Sequence, residues 1–441
     1  MNVSHAVNAF LSRHGFSPAA PDIHAAISAL LFDLEDGLEN ASPGRGLRSA
    51  MPMIPTWIRP PDSVPVNTSI IVIDAGGTNF RSSLVSFDAE GNPVVSDMQK
   101  TSMPGIEREY SRQEFFDKIA GNLEHLKNKA SRIAFCFSYA FTAMPDGDGR
   151  VIEMSKGVRA PEVHGCLLGE NLSRALVAKG WNKPEKIVLV NDTSAALLAG
   201  ASAAVKGKKY GTYVGFILGT GMNAAYIESG EIPKIAGMPG ADGGPQIVVC
   251  ESGKSDKMPR SDFDVQLQKI MDTPAPYERM CSGVFLGPLG QIALKAAAAD
   301  GLFSAAVSGR LAELDGLELK DMDMFFYGPY RTDTKLGQIF AAGTEEDRET
   351  AYRILDAFID RSARMAAVNI GAAVVKSGEG FNPAQPVCIL CEGTTFLKTH
   401  NLRARVEGYL YAELTLNRGI WYEIVSMDNA VTLGTAVAGL V

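Results

Sequence analysis

The stretch Asp74-Ala75-Gly76-Gly77-Thr78-Asn79-Phe80-Arg81 decides how this chain is read. It follows Ser69-Ile70-Ile71-Val72-Ile73, an apolar run of the kind that forms a buried strand. A second strand pattern, Phe80 to Phe87, leaves it. Glycines between two strands let backbone N–H groups come close to a phosphate. Thr78 adds a hydroxyl donor and Arg81 a permanent cation. Asp74, at the strand end, suits Mg²⁺ held through water. Gly-Gly is also an ordinary hairpin signal. The stretch alone therefore leaves two readings, a phosphate-binding turn or a plain hairpin.

Outward from it, Glu90-Gly91-Asn92 turns the chain into a third strand, and Ser111 to Ala130 has helical spacing. Arg132 to Phe137 and Lys186 to Val190 read as further strands, and Thr193 to Ala204 as a helix of small residues. The order β-β-β-α-β-α-β-α predicts a mixed sheet with helices on its faces. A strand–turn–strand unit then recurs at Tyr213–Leu218, Gly219-Thr220-Gly221 and Ala224–Glu228, which predicts a duplicated architecture. Before the first sheet lie a helical pattern, Ala25 to Leu38, and a proline-rich connector that includes Pro52, Pro55 and Pro65. Glu345 to Lys376 reads as one long helix with Thr344 as N-cap and Gly378 as stop. Pro386 to Cys391 reads as a late strand and Thr432 to Val441 as a terminal helix.

Gly219-Thr220-Gly221-Met222-Asn223-Ala224 matches a dinucleotide fingerprint, but that fingerprint needs a helix after the turn. Ala225-Tyr226-Ile227-Glu228 reads as a strand, which favours a phosphate-binding β-turn. Val190-Asn191-Asp192-Thr193 ends a strand and starts a helix. Asp192 there is either a helix cap or a carboxylate at a strand's C-terminal end, where open α/β sheets hold ligands. Ser138 and Ser155-Lys156-Gly157 offer hydroxyls and an amine that suit a polyol. Asp146-Gly147-Asp148-Gly149 resembles a metal loop, but Arg150 breaks that pattern and a turn is expected.

The chain has 441 residues, 46% hydrophobic and 21% charged, a globular composition long enough for more than one domain. Its net charge of −8 argues against nucleic acid as a partner. With no run of 18 apolar residues, and no basic and apolar leader at Met1-Asn2-Val3-Ser4-His5, no membrane partner is expected. A cytoplasmic protein with reduced thiols is expected. Cys388 and Cys391 have metal-type spacing, but three positions apart on a strand they face opposite ways, so buried structural thiols are expected.

Taken in order, these motifs resemble the eukaryotic-type hexokinases of the actin-like ATPase superfamily. Asp74–Arg81 is similar to that family's D-x-G-G-T-N-F-R, and Phe135-Cys136-Phe137-Ser138-Tyr139 to its sugar loop F-x-F-S-F. Ser155-Lys156-Gly157 is similar to T-K-G, Asn191-Asp192-Thr193 to N-D-T and Gly219–Ala224 to G-T-G-x-N-A. Arg361–Ala367 resembles R-S-A-x-L-x-A, and Glu392-Gly393-Thr394 resembles D-G-T/S. The resemblance covers the chain from Pro52 to its end.

It implies a two-lobed, ribonuclease H-like α/β fold with mixed sheets flanked by helices. The small lobe would hold residues 66–194 and 429–441, and the large lobe residues 1–65 and 195–428. It also implies a kinase that moves the γ-phosphoryl group of Mg-ATP to the 6-hydroxyl of a hexose such as glucose, feeding glycolysis. Asp192 would be the base, with Lys156 and Arg81 as catalytic cations. Ser138, Tyr139, Ser155, Lys156, Asn191, Asp192 and Glu251 would hold the sugar. Asp74, Gly76, Gly77, Thr78, Asn79, Arg81, Gly219, Thr220, Gly221, Gly393 and Thr394 would hold ATP, with Asp74 placing Mg²⁺. A monomer or homodimer is expected.

Three departures stand out. Pro288 replaces a sugar-binding Glu of the family, and losing such a charge-assisted hydrogen bond costs about 1.5–3 kcal/mol. Ala140 replaces a proline of the sugar loop, and Asp428–Thr432 keeps little of a final D-G-S-G-x-G. These departures motivate an alternative, a weakly active or non-catalytic sugar sensor of the same fold. A third reading is an ATPase of that fold without sugar chemistry, like the actin or Hsp70 group.

Overall fold

A computed structural model describes residues 2–17, 19–39, 49–61, 63, 65–154, 157–202, 207–241 and 244–440. In chain order the strands are β1 (Ile54–Pro55), β2 (Thr68–Gly76), β3 (Asn79–Phe87), β4 (Pro93–Ser102), β5 (Arg132–Phe137), β6 (Ala140–Ala143) and β7 (Gly149–Glu153). There follow β8 (Lys186–Val190), β9 (Thr212–Leu218), β10 (Met222–Glu228), β11 (Gln246–Val249), β12 (Val387–Glu392) and β13 (Tyr422–Val425). The helices are α1 (Val3–Arg13), α2 (Ile23–Glu39), α3 (Arg112–Asn122), α4 (Leu168–Ala178), α5 (Asp192–Ser202), α6 (Asp262–Ile270), α7 (Pro276–Arg279) and α8 (Gly283–Ala299). The rest are α9 (Ala305–Ala312), α10 (Leu319–Tyr327), α11 (Lys335–Phe340), α12 (Glu345–Ser377), α13 (Thr394–Lys398), α14 (Leu402–Leu410) and α15 (Ala430–Leu440).

Two sheets repeat one topology. The first is five-stranded in the order β4-β3-β2-β5-β8, with β2–β3 and β3–β4 antiparallel and β2–β5–β8 parallel. The second runs β11-β10-β9-β12-β13 with the same directions, and β1 is added at its edge. The duplication expected from the two Gly/Thr turns is therefore real at the level of strand order. Ile70–Ile73 is buried throughout because β2 is an interior strand covered on both faces.

Two of the cores lie one against each sheet, and a third joins the two sheets. Phe115, Ile119, Leu172 and Leu176, on α3 and α4, cover one face of the first sheet. The larger core packs α2, α8 and α12 against the second sheet. The shared core joins Val72, Ala134 and Cys136 of the first sheet to Ala225, Ile247 and Val249 of the second through Leu197 and Leu198 of α5 and Ala436–Ala438 of α15. Small residues let α5 and α15 come close: a Cβ on Gly434 would lie 1.7 Å from the Ala195 carbonyl oxygen. Gly434→Ala is therefore expected to cost about 1–3 kcal/mol, read as a lower midpoint in urea unfolding. An unchanged midpoint would show that the two helices separate freely.

Helix α12 has the expected ends. Thr344 and Asp347 form a capping box, and Gly378 closes the helix at φ 72°. Cys391 faces the α12 side and Cys388 packs beside Gly200 of α5, so the two thiols are on opposite faces as expected. The strand after Gly219-Thr220-Gly221 is β10, as the phosphate-turn reading requires.

One local expectation is corrected, and one element is added. The helix foreseen over 111–130 stops at Asn122 and gives way to a 3₁₀ turn, Glu124–Leu126, after Gly121 and Asn122 weaken the helix. Leu123 and Leu126 remain buried, which explains why the apolar spacing ran on. The β6–β7 hairpin was not foreseen. Its turn is the acidic glycine loop, as expected, and Asp148 accepts from Gly169 N (2.7 Å) and Glu170 N (2.9 Å) at the start of α4. Among the described residues no group of three or more His, Cys, Asp and Glu is placed to hold a metal ion, and no helix is long and apolar enough to cross a membrane.

Candidate active site

The β2–β3 hairpin pairs Gly76 with Asn79, so Gly77 and Thr78 form its two-residue turn. Gly77 has φ 63°, which a side chain would resist. The same register puts Asp74 opposite Arg81, and Arg81 Nη1 donates to Asp74 Oδ2 at 3.0 Å. Ser138 and Tyr139, expected from the sequence to belong to a sugar loop, adjoin this hairpin. Ser138 N donates to the Ala75 carbonyl at 3.2 Å, and a Cβ on Gly76 would lie 3.6 Å from both Ser138 Oγ and Asp74 Oδ1. Tyr139 is buried and its hydroxyl donates to the Gly77 carbonyl, so it braces the turn from the sugar-loop side. Burial and the Asp74 charge push the Tyr139 phenol well above its ordinary range, which keeps it a donor.

Parallel pairing of β5 with β8 brings Cys136 opposite Val190, so Ser138 and Asp192 leave neighbouring strand ends. Asn191 caps α5, since Thr193 N donates to Asn191 Oδ1 at 2.9 Å. This corrects the capping option for Asp192. Its carboxylate is half-buried and accepts from Thr193 Oγ1 at 3.2 Å, while the side-chain cap on the Thr193 amide comes from its neighbour Asn191. Cys136 lies under both carboxylates. Burial, then the charges of Asp74 and Asp192, push its thiol far up, so it stays neutral.

Between β9 and β10 of the second sheet, the carbonyls of the Gly219-Thr220-Gly221 turn are held from behind. Ser282 Oγ donates to the Thr220 carbonyl (2.7 Å), Thr395 Oγ1 to the Gly219 carbonyl (2.9 Å) and Gly283 N to the Gly219 carbonyl (2.9 Å). Gly393 has φ 106°, and a Cβ there would lie 2.2 Å from the Leu218 carbonyl oxygen, so this contact requires glycine. Beside the turn opens a cavity of about 740 Å³ lined by residues that include Thr220, Pro288, Leu317, Asp323, Thr394 and Lys398. That is within the size range of small-molecule sites. Pro288 thus lies on the wall of the cavity that meets the Gly219–Gly221 turn. Glu392, half-buried at the end of β12, has its carboxyl pushed up by burial and by Asp428.

Glu251 sits in a left-handed conformation, φ 52°, between β11 and a 3₁₀ turn at Ser252–Lys254. A non-glycine residue there is strained and persists only where its surroundings hold it. Asn223 Nδ2 donates to Glu251 Oε1 at 2.8 Å. The turn after it is pinned by Asn369 Nδ2 on Ser252 Oγ (2.8 Å) and by Ser255 Oγ on the buried Asp33 (2.7 Å). Glu278 Oε2 accepts from Met222 N at 2.9 Å.

The structure thus groups Asp74, Gly76, Gly77, Thr78, Asn79, Arg81, Ser138 and Tyr139 at one hairpin, with Asn191 and Asp192 at the neighbouring strand end. Gly219, Thr220, Gly221, Gly393 and Thr394 form a second group, next to the loop of Glu251. Ser155 and Lys156 lie outside the described residues. Sequence reading did not single out Glu278, Asn369 or Asp33. Asn223 was inside a quoted motif, but its tie to Glu251 crosses two strands and has no signature in spacing.

Two models of the hexokinase family match the chain, one over residues 12–202 and one over residues 213–441. Hexokinase-1 of Schizosaccharomyces pombe is 28% identical over 376 residues, covering 80% of this chain and 75% of that protein. Hexokinase-5 of Oryza sativa subsp. japonica is 28% identical over 397 residues, covering 84% of this chain and 75% of that protein. Among solved structures, a Schistosoma mansoni hexokinase complexed with glucose superposes with a TM-score of 0.78 at 19% identity, covering 100% of both chains. Another hexokinase crystal structure reaches a TM-score of 0.81 at 20% identity, covering 100% of this chain and 99% of the other. At those identities the structural likeness carries the two-lobed fold alone.

Proposed function

Because the chain belongs to the hexokinase family, a family of phosphotransferases with an alcohol group as acceptor, we propose that it moves the γ-phosphoryl group of Mg-ATP to the 6-hydroxyl of a hexose such as glucose. The observation that carries this reading is Asp192: a half-buried carboxylate at a strand end, beside the hairpin of Asp74 and Arg81, with its helix capped by Asn191 instead. In this reading Asp192 takes the proton from the 6-hydroxyl as that oxygen bonds to the γ-phosphorus. The bond from the γ-phosphorus to the bridging oxygen breaks, and ADP leaves. Transfer of this kind has a loose transition state, so positioning and charge stabilisation dominate.

Glu251, held by Asn223, and Asn191, Ser138 and Ser155 orient the sugar, with Tyr139 shaping the loop that carries Ser138. Lys156 and Arg81 meet the charge that develops on the transferring group. The backbone turns at Gly76–Asn79 and at Gly219–Gly221, with the Thr78 and Thr220 hydroxyls, cradle the phosphates, and Gly393 and Thr394 border the nucleoside. The Asp74 carboxylate beside a phosphate turn is a hard oxygen donor that fits Mg²⁺, which when bound neutralises phosphate charge. Arg81 then exchanges its Asp74 partner for phosphate oxygens.

We assign residues 66–194 and 429–441 to the small lobe and residues 1–65 and 195–428 to the large lobe. The shared core around α5 and α15 supports a hinge there, and lobe closure would exclude water from the transfer. Six free cysteines, five of them buried, support a reducing cytoplasm, and the net charge of −8 supports small-molecule partners over nucleic acid. A monomer or homodimer is proposed. Purified protein with Mg-ATP is expected to release ADP in a hexose-dependent way across a panel of glucose, mannose, fructose and amino sugars, and not without magnesium. Absence of hexose-stimulated release on every member of the panel would overturn the assignment.

A further inference from the structure

Besides the hydrogen bond from Asn223 to Glu251, a second side chain links the Gly219–Gly221 turn to the Glu251 loop. Glu278 lies on the four-residue helix α7, between two buried anchors. The Tyr277 hydroxyl donates to the Met365 carbonyl at 2.7 Å, and Arg279 Nη1 donates to the Thr273 carbonyl at 2.6 Å, so α7 is held from both sides. Glu278 then bonds to the residue after the turn and to a residue that holds the turn from behind. Its carboxylate Oε2 accepts from Met222 N at 2.9 Å, and its own carbonyl accepts from Ser282 N at 2.9 Å, the residue whose hydroxyl holds the Thr220 carbonyl. A Cβ on Gly221 would lie 2.5 Å from Glu278 Oε2, so no space is left between the carboxylate and the turn.

The other side of Glu278 faces the loop of Glu251. A Cβ on Gly253 would lie 3.0 Å from Glu278 Cβ and 3.4 Å from Oε2. Gly253 is in the 3₁₀ turn that Glu251 starts. A contiguous set of contacts thus runs from the Glu251 turn through the Glu278 carboxylate to the amide of Met222, next to Gly221.

Resting on the hexose-kinase reading, we propose that Glu278 is a positioning residue that couples the two substrates, so that sugar held at Glu251 tightens the turn that holds ATP. Close-packed groups transmit displacement because interiors leave little free volume.

The test is the KM for ATP at low and at saturating glucose. In the native protein the two values are expected to differ by about 5-fold or more, the usual lower range of such coupling. Glu278→Ala is expected to bring the ratio close to one and to raise both KM values. Glu278→Gln keeps an oxygen for the Met222 amide and is expected to keep the ratio within about 2-fold of native. Gly253→Ala crowds Glu278, and beside it the Met222 carbonyl, from the side of the Glu251 loop and is expected to raise the KM for ATP by about 3-fold or more. It also serves if Glu278→Ala fails to fold. A native ratio of one, or a native ratio in Glu278→Ala, overturns the coupling. So does a Gly253→Ala protein in which only the KM for glucose moves. Loss of glucose-dependent turnover in the native protein would instead sink the hexose-kinase reading, and the coupling with it.

Discussion

Asp192→Ala is expected to lower hexose-dependent turnover by about 10²–10⁴-fold, the usual contribution of a positioned general base. The fall should appear in kcat, with the KM for ATP near native, because Asp192 is not part of either phosphate turn. The structure makes the experiment clean. Helix α5 is capped by Asn191, so removing the Asp192 carboxylate takes away one hydrogen bond from Thr193 and leaves the helix end intact. Thermal unfolding should therefore stay within about 1 kcal/mol of native. Asn191→Ala should instead lose stability, by about 1 kcal/mol for the cap, and raise the KM for the hexose, since Asn191 also orients the sugar. A kcat within a few-fold of native in Asp192→Ala would remove Asp192 from the base role. A large loss of stability with little loss of turnover per folded molecule would make it a structural cap after all.

The pair Asn191-Asp192 also shows where sequence reading stops. Both residues can cap a helix, and the motif cannot say which one does. Elsewhere the reading was close because the signal was local. Strands β5 and β8 matched residue for residue, since each is an apolar run that opens on a cation, Arg132 or Lys186. The ends of α12 matched because a capping box and a left-handed glycine are written in neighbouring positions. The β6–β7 hairpin escaped because its strands are short and face other elements rather than a sheet of their own period. The partners of Glu251 escaped for a different reason. Asn223, Asn369 through Ser252 and Asp33 through Ser255 come from three separate stretches, and only the fold brings them to one loop. The motifs could name the groups that meet a substrate; the groups that hold them in place became visible with the packing.

Arg361 belongs to a family-like motif that carries stability, and its removal should severely weaken the packing of α12 against α6. Arg361 and Asp264 are 6% and 3% exposed, and they pair through two hydrogen bonds, Nη1 to Oδ2 at 2.8 Å and Nη2 to Oδ1 at 2.9 Å. Arg361 Nη2 also donates to the Met280 carbonyl at 3.0 Å, and the guanidinium lies 4.6 Å from the Phe16 ring centre. Asp264 in turn caps α6 through Ser261. Burial alone would push the Asp264 carboxyl up; the Arg361 charge and hydrogen bonds, with those from Ser261, outweigh it and hold the carboxyl below its ordinary value. A depressed carboxyl stabilises the fold above its unfolded pKa, and that contribution is lost as pH falls through the folded value. Arg361→Ala strands the carboxylate in an apolar core and is expected to cost about 3–5 kcal/mol at neutral pH. The penalty should shrink in acid, where protonation neutralises Asp264. Arg361→Lys keeps the charge but not the fork, so it should recover only part of the loss. The double variant Arg361→Ala, Asp264→Ala should be less damaged than the sum of the single changes, because it leaves no buried charge. Next to Arg361, Ser362 Oγ donates to the Cys281 carbonyl at 2.7 Å, one residue before the Ser282 that holds the Thr220 carbonyl. Folded Arg361→Ala protein should therefore also bind ATP more weakly. Urea midpoints of the three variants across pH 4–8 decide the matter, and a neutral-pH midpoint equal to native in Arg361→Ala would show that the pair contributes nothing.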